Sequence, residues 1–172
     1  MTHDSEILVN RVQALEDRDA IRTLKARYLR ACDLKQPDLL RETLAPEGAI
    51  IAYDGFPPFD NREAFIAVFE QMGCQPGIHD IHHATNSDIA FLGPDTASGK
   101  WSLNFQSINV GARTVTQMGV EYDDVYRRED GRWWIAETRT TRTSCLIYQI
   151  DTDGRATVVA LGEPPAIYGE AG

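Results

Sequence analysis

The chain has 172 residues, 42% of them hydrophobic and 25% charged, the balance of one globular domain, and a domain of this size buries roughly 70% of its unfolded surface. Its 26 acidic against 17 basic residues leave a formal net charge of -9; a field of that sign repels polyanions and argues against nucleic acid or anionic membrane as a main partner. No apolar run reaches the roughly 18 residues that span a bilayer, and Met1 to Leu15 carries charges where a signal peptide has an apolar block, so a cytoplasmic protein is expected.

Ile7 to Lys35 reads as a helix with a break near Asp17, because Ile21, Leu24, Tyr28, Ala31 and Cys32 recur at helical spacing. Pro37 suits the first turn of a short second helix reaching Leu44, and Pro46 lies beyond its end. Ala49 to Tyr53 is a compact apolar strand and Asp54 to Pro58 a loop. Asp60 with Glu63 resembles a capping box opening a third helix from Arg62 to about Met72. From residue 78 the period changes to two. Trp101, Leu103 and Phe105 alternate with Ser102, Asn104 and Gln106, and Gly111 marks a hairpin into a strand from Thr114 to Tyr126. The turn at Glu129 to Gly131 leads into a strand from Trp133 to Ile147, and the turn at Asp151 to Gly154 into a short one from Ala156 to Leu161. Helices first and long strands afterwards predict a single α+β domain over residues 1–172. Its N-terminal helices pack on a strongly curved, mostly antiparallel sheet, giving a cone-shaped barrel with one pocket for a small hydrophobic molecule. Residues 162–172 are expected to be a flexible or subunit-contacting tail.

Cys32, Cys74 and Cys145 are odd in number and widely spaced, fitting neither a disulfide framework nor a metal clip. The segment from Ile78 to Asn86 holds three of the four histidines. Along a strand His79 and His83 share one face and His82 the other, so the three cannot converge on one metal ion. The alternative is a general base fixed by a carboxylate, for which Asp33, at the end of the helical stripe, is the candidate partner. Trp101, Leu103 and Phe105 on one strand face, with Tyr53, either line an aromatic pocket or fill the core. In the polar run from Thr138 to Thr143 an inward cation would hold a carboxylate or phenolate. Arg139 is assigned to the pocket, with Arg142 as the other candidate. Tyr122 and Tyr126 read as packing or a cross-strand hydrogen bond, and Glu121 to Asp124 as a surface feature.

Asp19 to Tyr28, Asp33, Ile81-His82, Gly99 to Trp101, and Tyr122 to Gly131 with Trp133 resemble the SnoaL-like branch of the nuclear-transport-factor-2-like fold, over about residues 10 to 148. The pattern is similar to bile-acid dehydratase, scytalone dehydratase and hexachlorocyclohexane dehydrochlorinase. That resemblance implies a lyase without a cofactor, in which His82 is the base, Asp33 its orienting carboxylate and Tyr28 the tyrosine assisting the leaving group. It also implies a homo-oligomer, with a trimer favoured. Asn104 and Phe105 stand where the bile-acid enzyme carries a further acidic residue. The same base without a leaving group gives an isomerase or cyclase, and a ligand-binding or assembly module on the same fold is the non-catalytic alternative.

Overall fold

A computed structural model describes residues 3–165, so the tail expected from Gly162 falls, from residue 166 onward, outside the described residues. Helix α1 runs unbroken from His3 to Asp33. Asp17 stays within the helix because its carboxylate has partners on the far side of the fold. It accepts two hydrogen bonds from Arg128, at 3.0 and 3.1 Å, and one from the Trp133 indole at 2.9 Å. The core-facing stripe starts at Ile21 and continues through Leu24, Tyr28, Leu29 and Cys32, whereas Ile7, Leu8, Val12 and Leu15 are exposed. The helix ends in a left-handed turn at Lys35, with φ of 56°, and Gln36 N–H closes onto the Ala31 carbonyl at 3.0 Å.

Helix α2 is shorter than expected, spanning Pro37–Arg41. The third helix, α3, covers Arg62–Val68 and widens to π geometry over Phe69–Gly73. Its cap is Asn61 rather than the expected Asp60. The Asn61 side chain accepts from Ala64 N–H at 2.8 Å, while Glu63 turns outward to Arg41 and Arg62.

The strands are β1 (Ile50–Tyr53), β2 (Ile78–Gly93), β3 (Thr96–Asn109), β4 (Thr114–Glu129), β5 (Arg132–Ile150) and β6 (Ala156–Gly162). They form one sheet in the order β1-β5-β4-β3-β2, with β6 also on β5, and only β1 runs parallel to its neighbour. The expected α+β architecture is observed, with the helices N-terminal to a curved, mostly antiparallel open sheet. Register shifts at Thr85/Asp88 on β2, and at Gly119/Val120 and Val125/Tyr126 between β4 and β5, mark bulges. Each bulge bends its strand and re-phases the side chains that follow. The inner face of the sheet buries Trp101, Leu103, Phe105, Met118, Val120, Tyr122, Tyr126, Ile135 and Cys145. No helix among the described residues is long and apolar enough to cross a membrane.

Candidate active site

Two elements meet where α1 ends and β2 begins to pair. On β2 the even positions Asp80, His82 and Ala84 are half-buried and the odd positions His79, Ile81 and His83 are exposed, as strand alternation requires. Asp33, the last residue of α1, holds His82 with both carboxylate oxygens. Oδ1 lies 2.6 Å from Nδ1 of the imidazole and Oδ2 accepts the His82 backbone N–H at 3.2 Å. A second ion pair, Lys35 with Asp80, ties the same two segments two residues earlier on the strand. With Asp33 ionised, Nδ1 is the nitrogen that carries the proton, which leaves the lone pair on Nε2. Nε2 has no hydrogen bond among the described residues. The ring packs on Phe105, with centroids 4.8 Å apart.

The dyad lines a groove of about 430 Å³ between α1 and the β2 edge. One complete face of α1 forms one wall, through Arg22, Lys25, Ala26, Leu29, Arg30 and Asp33, a spacing of three and four residues that brings side chains into line on a helix. His82, His83, Ala84 and Trp101 form the other. Among the described residues, no three His, Cys, Asp or Glu side chains gather as a metal ion would need.

Of the expected site residues, Asp33, His82 and Trp101 come together here, and Phe105 supports the imidazole from behind. Tyr28 does not line the groove. Five residues before Asp33 on a helix of 3.6 residues per turn, it points to a different side; it is 1% exposed and its hydroxyl meets that of Tyr53. Tyr53 in turn packs edge-on against Phe65 and Tyr122. Burial raises the Tyr53 and Tyr122 hydroxyls above the usual tyrosine range, so both stay protonated. Leu103 lies in the core at 5% exposure and outside the groove lining.

Arg139 is a correction. Its side chain is 54% exposed and pairs with Glu137. The bulge near Ala136 re-phases β5, so that Thr138, Thr140 and Arg142 face inward and Arg139 outward. Arg142 is the inward cation, its side chain 5% exposed. Asp54 accepts the Arg142 backbone N–H at 3.0 Å and its guanidinium at 3.4 Å, and these bonds hold the Asp54 carboxyl below its usual range. Gly55 is required beside it. Its φ is +86°, and a Cβ there would lie 2.7 Å from Arg142 Nη2.

A buried charged pair that sequence reasoning missed sits behind the groove. Lys25 meets Asp124 at 2.7 Å with side-chain exposures of 1% and 0%. The ammonium also lies 3.5 Å from the centroid of the Tyr122 ring and 5.1 Å from that of Tyr28, positions that suit cation–π attraction. Tyr126 donates to Asp124 at 2.7 Å and Trp101 to Tyr126 at 3.0 Å. Asp124 is therefore not the surface carboxylate expected of its acidic stretch. Desolvation lowers the Lys25 pKa, and the Asp124 charge opposes that shift. Cys32, buried beside Asp33, has its thiol pushed up to about 12 by desolvation and then by the Asp33 charge, which leaves it a poor nucleophile.

The fold has many solved relatives. The crystal structure of the dehydrochlorinase LinA superposes with a TM-score of 0.73 at 19% identity, covering 90% of this chain and 98% of that one. A hexachlorocyclohexane dehydrochlorinase, LinA-type3 from Novosphingobium barchaimii, gives 0.70 at 20% identity, with 90% and 99% covered. A candidate scytalone dehydratase from Novosphingobium aromaticivorans gives 0.71 at 18% identity, with 88% and 94% covered. Identities this low establish a shared fold. The SnoaL-like domain family itself matches residues 13–139, and the chain belongs to that family.

Proposed function

We propose that the chain is a cofactor-independent lyase that removes a C–H proton from a small hydrophobic or aromatic substrate and expels water or a related leaving group. The observation that carries this reading is the two-point grip of Asp33 on His82 in a groove that Trp101 also lines, with Nε2 left without a hydrogen bond among the described residues. Family membership and the likeness to structures named as hexachlorocyclohexane dehydrochlorinases and as a candidate scytalone dehydratase support it.

In the proposed reaction neutral His82 accepts a proton at Nε2 from a carbon next to a carbonyl or an electron-rich ring. The C–H electron pair forms the new C=C bond as the bond to the leaving oxygen or halide breaks. Asp33 stabilises the imidazolium, which returns its proton to a departing hydroxyl as water. A positioned base of this kind contributes roughly 10²- to 10⁴-fold. Tyr28 is held away from the groove by Tyr53, which favours a single group carrying the proton out and back. The same feature suits an isomerase, in which the proton returns to another carbon.

The test is a panel of aromatic β-hydroxy and β-halo carbonyl compounds, assayed for alkene formation with wild type, His82→Gln and Asp33→Asn. The expected result is turnover by wild type that falls about 10²-fold or more in His82→Gln, with ligand affinity retained. Binding without turnover in wild type, or equal loss of affinity and rate in the variant, would move the assignment to a binding module.

A further inference from the structure

The proposed lyase reading leaves open what kind of molecule enters the groove, and the wall opposite His82 is informative. In a chain of net charge -9, the face of α1 that lines the groove carries Arg22, Lys25 and Arg30, and its one carboxylate, Asp33, is already occupied by His82. Lys25 is spent on Asp124. Arg22 and Arg30 are exposed and both line the groove, with the small Ala26 one turn from each.

Two details separate these arginines from ordinary surface cations. The bulge between Thr85 and Asp88, with Asn86 in the left-handed region at φ 53°, turns Ser87 toward α1, where its Oγ accepts from Arg22 Nε at 3.2 Å. That bond steadies the guanidinium and leaves its terminal nitrogens to donate elsewhere. Arg30 forms no side-chain hydrogen bond or ion pair among the described residues, although carboxylates outnumber cations in the chain. Along α1 it lies about 4.5 Å from Asp33, and Arg22 about 12 Å beyond Arg30.

We infer that the substrate carries an oxyanion group, a carboxylate or a phosphate, which Arg30 and Arg22 hold along α1 while the reacting carbon lies at His82. This deepens the lyase reading and rests on it only for the identity of the reacting end. Guanidinium pairs with oxyanions through two parallel hydrogen bonds, so the anion fixes orientation as well as affinity. The rail also offsets the repulsion that an acidic protein imposes on an anionic ligand.

Binding of 2-naphthoate, 2-naphthyl phosphate and neutral 2-naphthamide, measured by calorimetry at low and high salt, tests this independently of turnover. The expected result is that at least one anion binds wild type about tenfold or more tighter than the amide, and that added salt shrinks the difference. The preference should disappear in Arg30→Gln and weaken in Arg22→Gln, while His82→Gln keeps it. Whichever anion binds better identifies the oxyanion. Equal affinity for the amide and both anions, or a preference that survives in the Arg22→Gln/Arg30→Gln double variant, would overturn the inference. In that case His82-dependent turnover of a neutral compound would leave the lyase reading standing. An anion preference that is lost with the two arginines, but found without any turnover, would instead sink the lyase reading alone.

Discussion

Replacing Lys25 by methionine removes one half of a fully buried ion pair while keeping an unbranched chain of similar length. Asp124 then keeps the hydrogen bond from Tyr126 at 2.7 Å but loses the Lys25 ammonium at 2.7 Å, inside a shell of Trp101, Tyr122 and Tyr126. Breaking one partner of such a pair costs roughly 3–5 kcal/mol, because an uncompensated charge stays buried. For a domain of this size that is a fall in melting temperature on the order of 10 °C. Adding Asp124→Asn keeps an acceptor for Tyr126 and removes the stranded charge, so the double variant recovers most of the loss. Urea unfolding at pH 8 measures all three proteins. A Lys25→Met protein within about 1 kcal/mol of wild type at pH 8, or a double variant no more stable than the single, would refute the reasoning.

Asp54 titrates lower in the folded protein than in the unfolded chain, first through the Arg142 backbone N–H and then through its guanidinium. Its contribution is therefore complete above the ordinary carboxylate range and is lost as pH falls through the depressed value; comparing acid unfolding of wild type and Asp54→Asn should show that part of the pH dependence missing from the variant. The three thiols should separate in a native titration with a disulfide reagent at pH 8. Half-buried Cys74 reacts first, while Cys32, buried and raised to about 12, reacts only after unfolding. Rapid native labelling of Cys32 would contradict its burial.

The sequence carries the large elements clearly because their periods are long. Ile21 to Cys32 repeat at helical spacing, and Trp101, Leu103 and Phe105 alternate without interruption on the regularly paired β3–β4 ladder. The same alternation places His82 opposite His79 and His83, as observed. It fails on β5, where unpaired bulge residues move the inward phase from Arg139 to Arg142. A bulge is set by how two strands fit in space and leaves no local mark in composition. The cap of α3 slips by one residue for a similar reason, since Asp60 and Asn61 are both good caps and tertiary contacts of Glu63 decide between them. Lys25 and Asp124 had a legible signal. Lys25 lies four residues from Ile21 within the buried stripe, and Asp124 alternates with Tyr122 and Tyr126, so each charge occupies a core position and the two identify each other. Tyr28 shows the reverse case. The family pattern assigns it a role beside Asp33, but helical geometry turns it toward Tyr53 and away from the groove.

The proposed reaction requires the His82 imidazole to be held by Asp33 with Nε2 as the free base. Long-range ¹⁵N NMR of the imidazole at pH 8, in wild type and in Asp33→Ala, tests this without knowledge of the substrate. The prediction is a single tautomer in wild type, protonated at Nδ1 and bare at Nε2, which gives way to a mixture in Asp33→Ala. A proton found on Nε2 in wild type, or a tautomer indifferent to Asp33, would contradict the dyad and with it the proposed reaction.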